Sequence, residues 1–146
     1  MPADLEKNMQ QKSEMQDQLQ DQLKVLVVDD NRDAAQLIGR LLTVLGNNVR
    51  VVFDGFTALE EAERFKPDAV LLDIGLPGMD GYETARLLRE VPSCASVTII
   101  AVTGWGQAED RERGKLAGFD HHVVKPADSQ TLMQILSSVR RSPVLA

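Results

Sequence analysis

The stretch Ala69-Val70-Leu71-Leu72-Asp73-Ile74-Gly75-Leu76-Pro77-Gly78-Met79-Asp80-Gly81 decides how this chain is read. Its first four residues are continuously apolar, the pattern of a strand covered on both faces, and such strands belong to parallel sheets packed between helices. The run ends on an acid, Asp73, and passes directly into a turn-rich segment around Pro77-Gly78 and Asp80-Gly81. In an open α/β sheet, that carboxyl end is where ligands bind.

The pattern repeats on both sides of this stretch. Upstream, Val25-Leu26-Val27-Val28 is another continuous apolar run, closed by Asp29 and Asp30. Ala34, Leu37, Ile38, Leu41, Leu42 and Leu45 then recur at helical spacing, with Gly46 where a C-cap would fall. Val49, Val51 and Phe53 alternate as a strand does, and Asp54-Gly55 turns into a helix predicted over 57–65 and stopped by Pro67. Downstream, the pattern predicts a helix over 82–90, a strand over 97–102 ending at Thr103-Gly104, and a helix over 107–117. A short strand over 119–124, terminated by Lys125-Pro126, precedes a last helix over 128–141 with Leu132, Ile135, Leu136 and Val139 on one face. Five strand–helix units with short loops define an α/β domain with right-handed crossovers.

The domain is read as residues 24–141, with a polar leader over 1–23 and a tail over 142–146. The leader is rich in Gln, Asp, Glu and Lys and lacks the aliphatic density for a core of its own. It reads as a linker, or as a helix that docks or pairs through Met15, Leu19 and Leu23 at four-residue spacing. The length of 146 residues with 43% hydrophobic residues fits one compact domain. A formal net charge of -6 with no Lys/Arg stripe disfavours direct nucleic-acid binding. The single cysteine, Cys94, excludes an internal disulfide and a multi-thiolate metal site, and points to a reducing compartment, the cytoplasm. No apolar run approaches the length of a membrane span, and no membrane insertion is expected.

Asp29 and Asp30 close the first strand, Asp73 the third, Thr103 the fourth and Lys125 the fifth, so one parallel sheet would bring all five to a single rim. Three crowded carboxylates repel one another, and a divalent cation resolves the conflict. Magnesium suits an all-oxygen, partly hydrated site completed by phosphate oxygens, with manganese as an alternative. Asp73 is then the natural nucleophile for a phosphoryl group, with Lys125 supplying a cation and Thr103 a hydroxyl donor.

These residues resemble the receiver domains of two-component response regulators, across about residues 24–141. The motifs are Val27-Val28-Asp29-Asp30-Asn31, the block from Leu71 to Gly81, Val102-Thr103-Gly104 and Val124-Lys125-Pro126; four in the right order, each at a strand end, are specific. The resemblance implies a flavodoxin-like, doubly wound five-stranded parallel sheet of order 2-1-3-4-5 with helices on both faces. It implies that Asp73 is the phosphoacceptor, Asp30 a direct metal ligand and Asp29 a further one, often through water, with the backbone carbonyl of Gly75 completing the set. It implies that Lys125 pairs with the phosphoryl group and that Thr103 is the switch hydroxyl. The family's switch aromatic, three positions before the lysine, is replaced here by His122, which would weaken the coupled rotation or make it sensitive to pH. Gly104 leaves room beside the phosphoryl group, Trp105 sits where it would gate water, and Gly75 offers no side chain to assist hydrolysis. The implied partners are a histidine kinase or histidine phosphotransfer protein as donor and a downstream protein facing the fourth and fifth strand–helix units, with a homodimer left open.

Each residue also has a plainer reading. Asp29 or Asp30 alone would be a helix N-cap, Lys125 a solvated lysine and Thr103 an ordinary strand residue. His121 and His122 point to opposite faces of a strand and do not form a metal pair. Cys94 reads as an inert small hydrophobe, Trp105 as a packing residue, and Asp54-Gly55 and Asp80-Gly81 as turns. Two other functions compete: a metal-dependent phosphohydrolase with an aspartyl nucleophile, which needs an acid or base where Gly75 stands, and a nucleotide-binding module, which lacks its glycine-rich loop. The segments from Thr103 to Gln107 and from Ala117 to His122 also look like those of receivers attached to hybrid histidine kinases.

Overall fold

The structure, a computed structural model, describes residues 22–104, 115 and 117–139. Five strands form one wholly parallel sheet: β1 (Lys24–Val28), β2 (Asn48–Val52), β3 (Ala69–Asp73), β4 (Thr98–Thr103) and β5 (His121–Val124), in the order β2-β1-β3-β4-β5. Among the described residues the α-helices are α1 (Arg32–Val44), α2 (Gly55–Phe65), α3 (Gly81–Glu90) and α4 (Ser129–Ser137), with a 3-10 turn at Pro92–Cys94. The predicted flavodoxin-like order is the observed one. Of the predicted helix over 107–117 only residues 115 and 117 are described, both helical, and Trp105 lies outside the described residues, as do residues 1–21 and 140–146 of the leader, last helix and tail.

Continuous apolar strands feed two cores because alternate side chains leave opposite faces of the sheet. Leu26, Val70, Leu72 and Ile99 pack against Ala58 and Ala62 of α2 and Ala85 and Leu88 of α3. Val25, Val27, Leu71 and Ile100 pack against Ala35 and Leu42 of α1 and Leu132 and Leu136 of α4. Each fully buried leucine or isoleucine among them contributes on the order of 2–3 kcal/mol.

Helix boundaries depart from the periodicity in instructive ways. Asn31, rather than Asp29 or Asp30, caps α1, accepting the Ala34 N–H at 3.1 Å. Asp54 and Asp80, read as plain turn residues, are N-caps: they accept the N–H of Thr57 at 2.7 Å and of Glu83 at 2.9 Å, so α2 and α3 begin at Gly55 and Gly81. The last helix stops at Ser137, short of 141. Its apolar spacing continues to Val139, but the Ser137 and Ser138 hydroxyls turn back onto the carbonyls of Gln134 and Ile135, both at 2.7 Å. Such local bonds compete with the helical ladder.

One tertiary anchor has no signature in the sequence. The Arg89 guanidinium, at the end of α3, donates to the carbonyls of Gly118 (2.6 Å), Ala95 (3.3 Å) and Val97, and pairs with Asp120 at 2.8 Å. The same Asp120 oxygen accepts the Ile99 N–H at 2.8 Å. One side chain thus satisfies loop carbonyls on both sides of β4 and fixes the entry to β5. Arg89→Met keeps the aliphatic stem but leaves these acceptors open, so a loss of about 2–3 kcal/mol is expected for charged hydrogen bonds. Urea titration checks it; an unchanged midpoint would show the network to be ornamental.

Candidate phosphoryl and metal site

The sheet order reverses direction on either side of β1: α1 leads out to β2 at the edge, and α2 returns the chain to β3 on the opposite flank. The loops leaving β1 and β3 therefore part, opening a crevice at the carboxyl end of the sheet. Asp29 and Asp30 follow β1 directly, Asp73 is the last residue of β3, Thr103 the last of β4, and Lys125 follows β5.

The ammonium of Lys125 bridges two of the acids. Its Nζ lies 2.9 Å from Asp29 Oδ2 and 3.4 Å from Asp73 Oδ2. The other oxygen of each carboxylate accepts a backbone N–H two residues on, Asn31 N to Asp29 Oδ1 at 3.0 Å and Gly75 N to Asp73 Oδ1 at 3.1 Å. Those turns hold both carboxylates in place. Lys125 is itself anchored by its N–H donating to the Thr103 carbonyl at 2.7 Å, and the Lys125–Pro126 peptide is cis.

Asp29 and Asp73 are buried while Asp30 is exposed, and one carboxylate oxygen from each lies within 4.8 Å of the others. Burial pushes the Asp73 carboxyl above its ordinary value, opposed by the Gly75 N–H and Lys125 and reinforced by the neighbouring Asp29. For Lys125 burial works the other way, but the hydrogen bond to Asp29 and the attraction of both acids outweigh it and hold the ammonium above its ordinary value. Three acids converge on one ammonium there, and the acids offer oxygen donors only. That donor set fits a hard divalent cation.

Several expected residues take more limited roles in the geometry. Gly75 contributes its N–H to Asp73, and a Cβ there would meet only Asp73 Oδ1, at 3.9 Å, so the space beside the carboxylate is open. A Cβ at Gly104 would meet nothing within 4 Å. His122 pairs in register with Ala101 and Val124 with Thr103, which puts His122 and Thr103 on one face of neighbouring strands, two residues apart. The Nε2 of His122 is buried. Among the described residues, the histidines join no cluster of three metal-ligating groups. Cys94 is fully buried, and that burial pushes its thiol up.

Sequence reasoning missed Gly81. A Cβ on it would lie 2.5 Å from the Asp73 carbonyl oxygen and 2.6 Å from Ile74 Cα, so α3 can start where it does only without a side chain. The Gly81 N–H also donates to the Ile74 carbonyl at 3.0 Å, closing the loop that follows Asp73. The Asp80-Gly81 pair was visible as a turn; its contact with the reactive strand end was not.

Residues 25–137 match the response regulator receiver domain family, and the chain belongs to it. It is a receiver of the two-component signalling systems. The chain is 34% identical over 118 residues to the response regulator PleD of Caulobacter vibrioides, and that match covers 81% of this chain but 26% of PleD. Among solved structures it is similar to the chemotaxis protein CheY4 of Vibrio cholerae (TM-score 0.78, 29% identity, 82% of this chain and 99% of that one). It is also similar to the receiver domain of a sensor histidine kinase from Pseudomonas aeruginosa PAO1 (TM-score 0.73, 36% identity, 80% and 95% covered). The latter structure has a magnesium ion coordinated in its active-site cleft. The aspartyl phosphohydrolase alternative gains no support, since Gly75 presents a backbone N–H to Asp73 where an acid–base side chain would be required. Among the described residues no helix is long and apolar enough to cross a membrane.

Proposed function

We propose that Asp73 is the phosphoacceptor of this receiver and that Asp29, Asp30 and Asp73, with the Gly75 carbonyl, hold a magnesium ion for which manganese can substitute. The observation that carries this reading is the Lys125 ammonium poised 2.9 and 3.4 Å from two buried acids, with Asp30 completing the cluster. A bound divalent cation supplies charge neutralisation for the transferring phosphoryl oxygens. An Asp73 carboxylate oxygen attacks phosphorus, the P–N bond to the donor's histidine breaks, and the imidazole leaves with a proton taken from solvent. Lys125, released from part of its pairing with Asp73, follows the negative charge onto the phosphoryl oxygens, and the Thr103 hydroxyl donates to one of them. His122, on the same sheet face as Thr103, is the group whose position would report that movement.

The donor is a histidine kinase or a histidine phosphotransfer protein, and the receiver acts in the cytoplasm on a downstream protein. A groove of about 380 Å³ runs between α1 and residues 125–127, lined by Ala34, Leu37, Ile38, Leu41, Pro126 and Ala127, and Lys125 belongs to both groove and site. Its apolar walls suit a helix of the donor carrying the phosphohistidine. Incubation with acetyl phosphate and magnesium should add one phosphoryl group by intact mass, located in the peptide containing Asp73, and EDTA should prevent it. An adduct that forms equally without a divalent cation, or sits on another peptide, would overturn the assignment.

A further inference from the structure

Strand β2 is an open edge of the sheet. Among the described residues it pairs only with β1, in register from Lys24 against Asn48 to Val28 against Val52. The Asn48 N–H donates inward to the Leu23 carbonyl at 2.8 Å, and the Val52 carbonyl accepts inward from the Asp29 N–H at 3.2 Å. Residues of a parallel strand turn their main-chain groups to alternate sides, so Val49 and Val51 point N–H and C=O away from the sheet. Arg50 reaches back toward one of these four groups, its Nη1 lying 3.4 Å from the Val49 carbonyl. That spacing is long for a hydrogen bond and leaves the edge open to pairing.

The two sides of this edge differ in chemistry. Toward α1 lies a hollow of about 570 Å³ bordered by Gly39, Thr43, Val44, Val49 and Val51. Val44 is 84% exposed, and a Cβ on Gly39 would lie 2.7 Å from Val51 Cγ2, so the bare glycine lets the helix close over the strand. Toward α2 lies a second hollow of about 440 Å³, bordered by Lys24, Arg50, Glu61, Arg64 and Phe65. The Arg50 guanidinium rests over the Phe65 ring, 5.0 Å from its centroid, and Glu61 stands 3.9 Å from Arg50 and 3.0 Å from Arg64. Three cations share this hollow with one acid, in a chain whose net charge is -6.

A strand added to an edge sends successive side chains to opposite faces. We propose that the β2 edge binds an extended acidic segment of a partner protein, in which aliphatic residues alternate with Asp or Glu. Its main chain pairs with Val49 and Val51, its aliphatic side chains fill the hollow beside Gly39, and its carboxylates meet Arg50 and Arg64. A second copy of this chain fits poorly. Antiparallel pairing of two β2 edges about a two-fold axis would gather Lys24, Arg50 and Arg64 of both copies on one face, and like charges across a strand pair destabilise it. None of these residues belongs to the phosphoryl site, so the edge can be occupied whether or not Asp73 takes a phosphoryl group.

Fluorescence anisotropy tests this, with the full chain and a labelled peptide of about seven residues that alternates valine and glutamate. A peptide of the same composition with its valines and glutamates in separate blocks, and one with lysine in place of glutamate, should each bind at least about tenfold more weakly. Arg50→Glu, at a side chain 54% exposed, should weaken the glutamate peptide by a similar factor and strengthen the lysine peptide, with its circular dichroism unchanged. Should that variant fail to fold, Val51→Pro takes its place, since it removes an outward N–H and no bond of the β1 ladder. The amides of Val49 and Val51 should shift in nitrogen–proton correlation spectra when the glutamate peptide is added. No binding of that peptide, equal binding of the block peptide, or binding untouched by the variant would overturn the proposal. A full-chain dimer in sedimentation that Val51→Pro converts to monomer would also overturn it, by making a second copy the occupant of the edge.

Discussion

The Asp73→Asn protein is expected to take up no phosphoryl group from acetyl phosphate, yet to be more stable than the wild type at neutral pH in the absence of a divalent cation. The first half follows from losing the carboxylate proposed as the nucleophile. The second follows from burial, which pushes the Asp73 carboxyl up, reinforced by the adjacent Asp29 and only partly offset by Gly75 and Lys125. A carboxyl whose native pKa lies above its unfolded value binds its proton more tightly when folded. Its favourable contribution is complete below the ordinary value of 3.8 and disappears as the pH rises through the native value. At neutral pH the wild type therefore carries a desolvated charge that asparagine does not. Urea midpoints taken in EDTA should favour the mutant at pH 7, with an advantage that shrinks as the pH falls toward 4. Magnesium should then raise the wild-type midpoint more than the mutant's, because a ligand that binds only the folded state stabilises it. A mutant that is less stable at pH 7 would mean that pairing with Lys125, rather than desolvation, governs Asp73.

Lys125→Met should slow phosphorylation by acetyl phosphate about 10²–10³-fold, the usual consequence of removing one preorganised group that meets developing charge. It should also destabilise the metal-free protein, since Asp29 and Asp73 would face each other without a cation between them. Breaking a fully buried pair costs about 3–5 kcal/mol. Here the lysine side chain is 30% exposed, so solvent screening reduces the loss to about 1–2 kcal/mol. Because the folded lysine sits above its ordinary value of 10.5, that stabilisation persists at neutral pH and fades only in strong alkali. Stopped-flow or timed mass spectrometry gives the rate and urea titration the stability. A rate within threefold of wild type would remove Lys125 from the reaction.

The strands were legible because burial on both faces leaves a plain mark in sequence: Val25 to Val28 and Ala69 to Leu72 are unbroken apolar runs. The rim could be read from the same runs, since a parallel sheet brings the residues that end its strands to one edge, and Asp29, Asp73 and Lys125 meet there. What stayed hidden depends on distances between segments far apart in the chain. Arg89 is an ordinary arginine until Gly118 and Asp120, some thirty residues on, are folded against it. The caps at Asp54 and Asp80 were partly visible, but a single Asp-Gly pair signals a turn and a helix start equally well. The end of α4 was misjudged because periodicity registers apolar residues and is blind to serine hydroxyls that bond back onto the chain.

The bare Cα of Gly81 presses on the main chain at Asp73, so the reactive strand end has neighbours that no ligand-contact map would name. In a survey of random substitutions, position 81 would score as badly as the acids themselves although it touches neither ion nor phosphate. Intolerance there measures how closely a helix has been drawn up behind the carboxylate, and it would mislead anyone who took sensitivity to change for chemical participation.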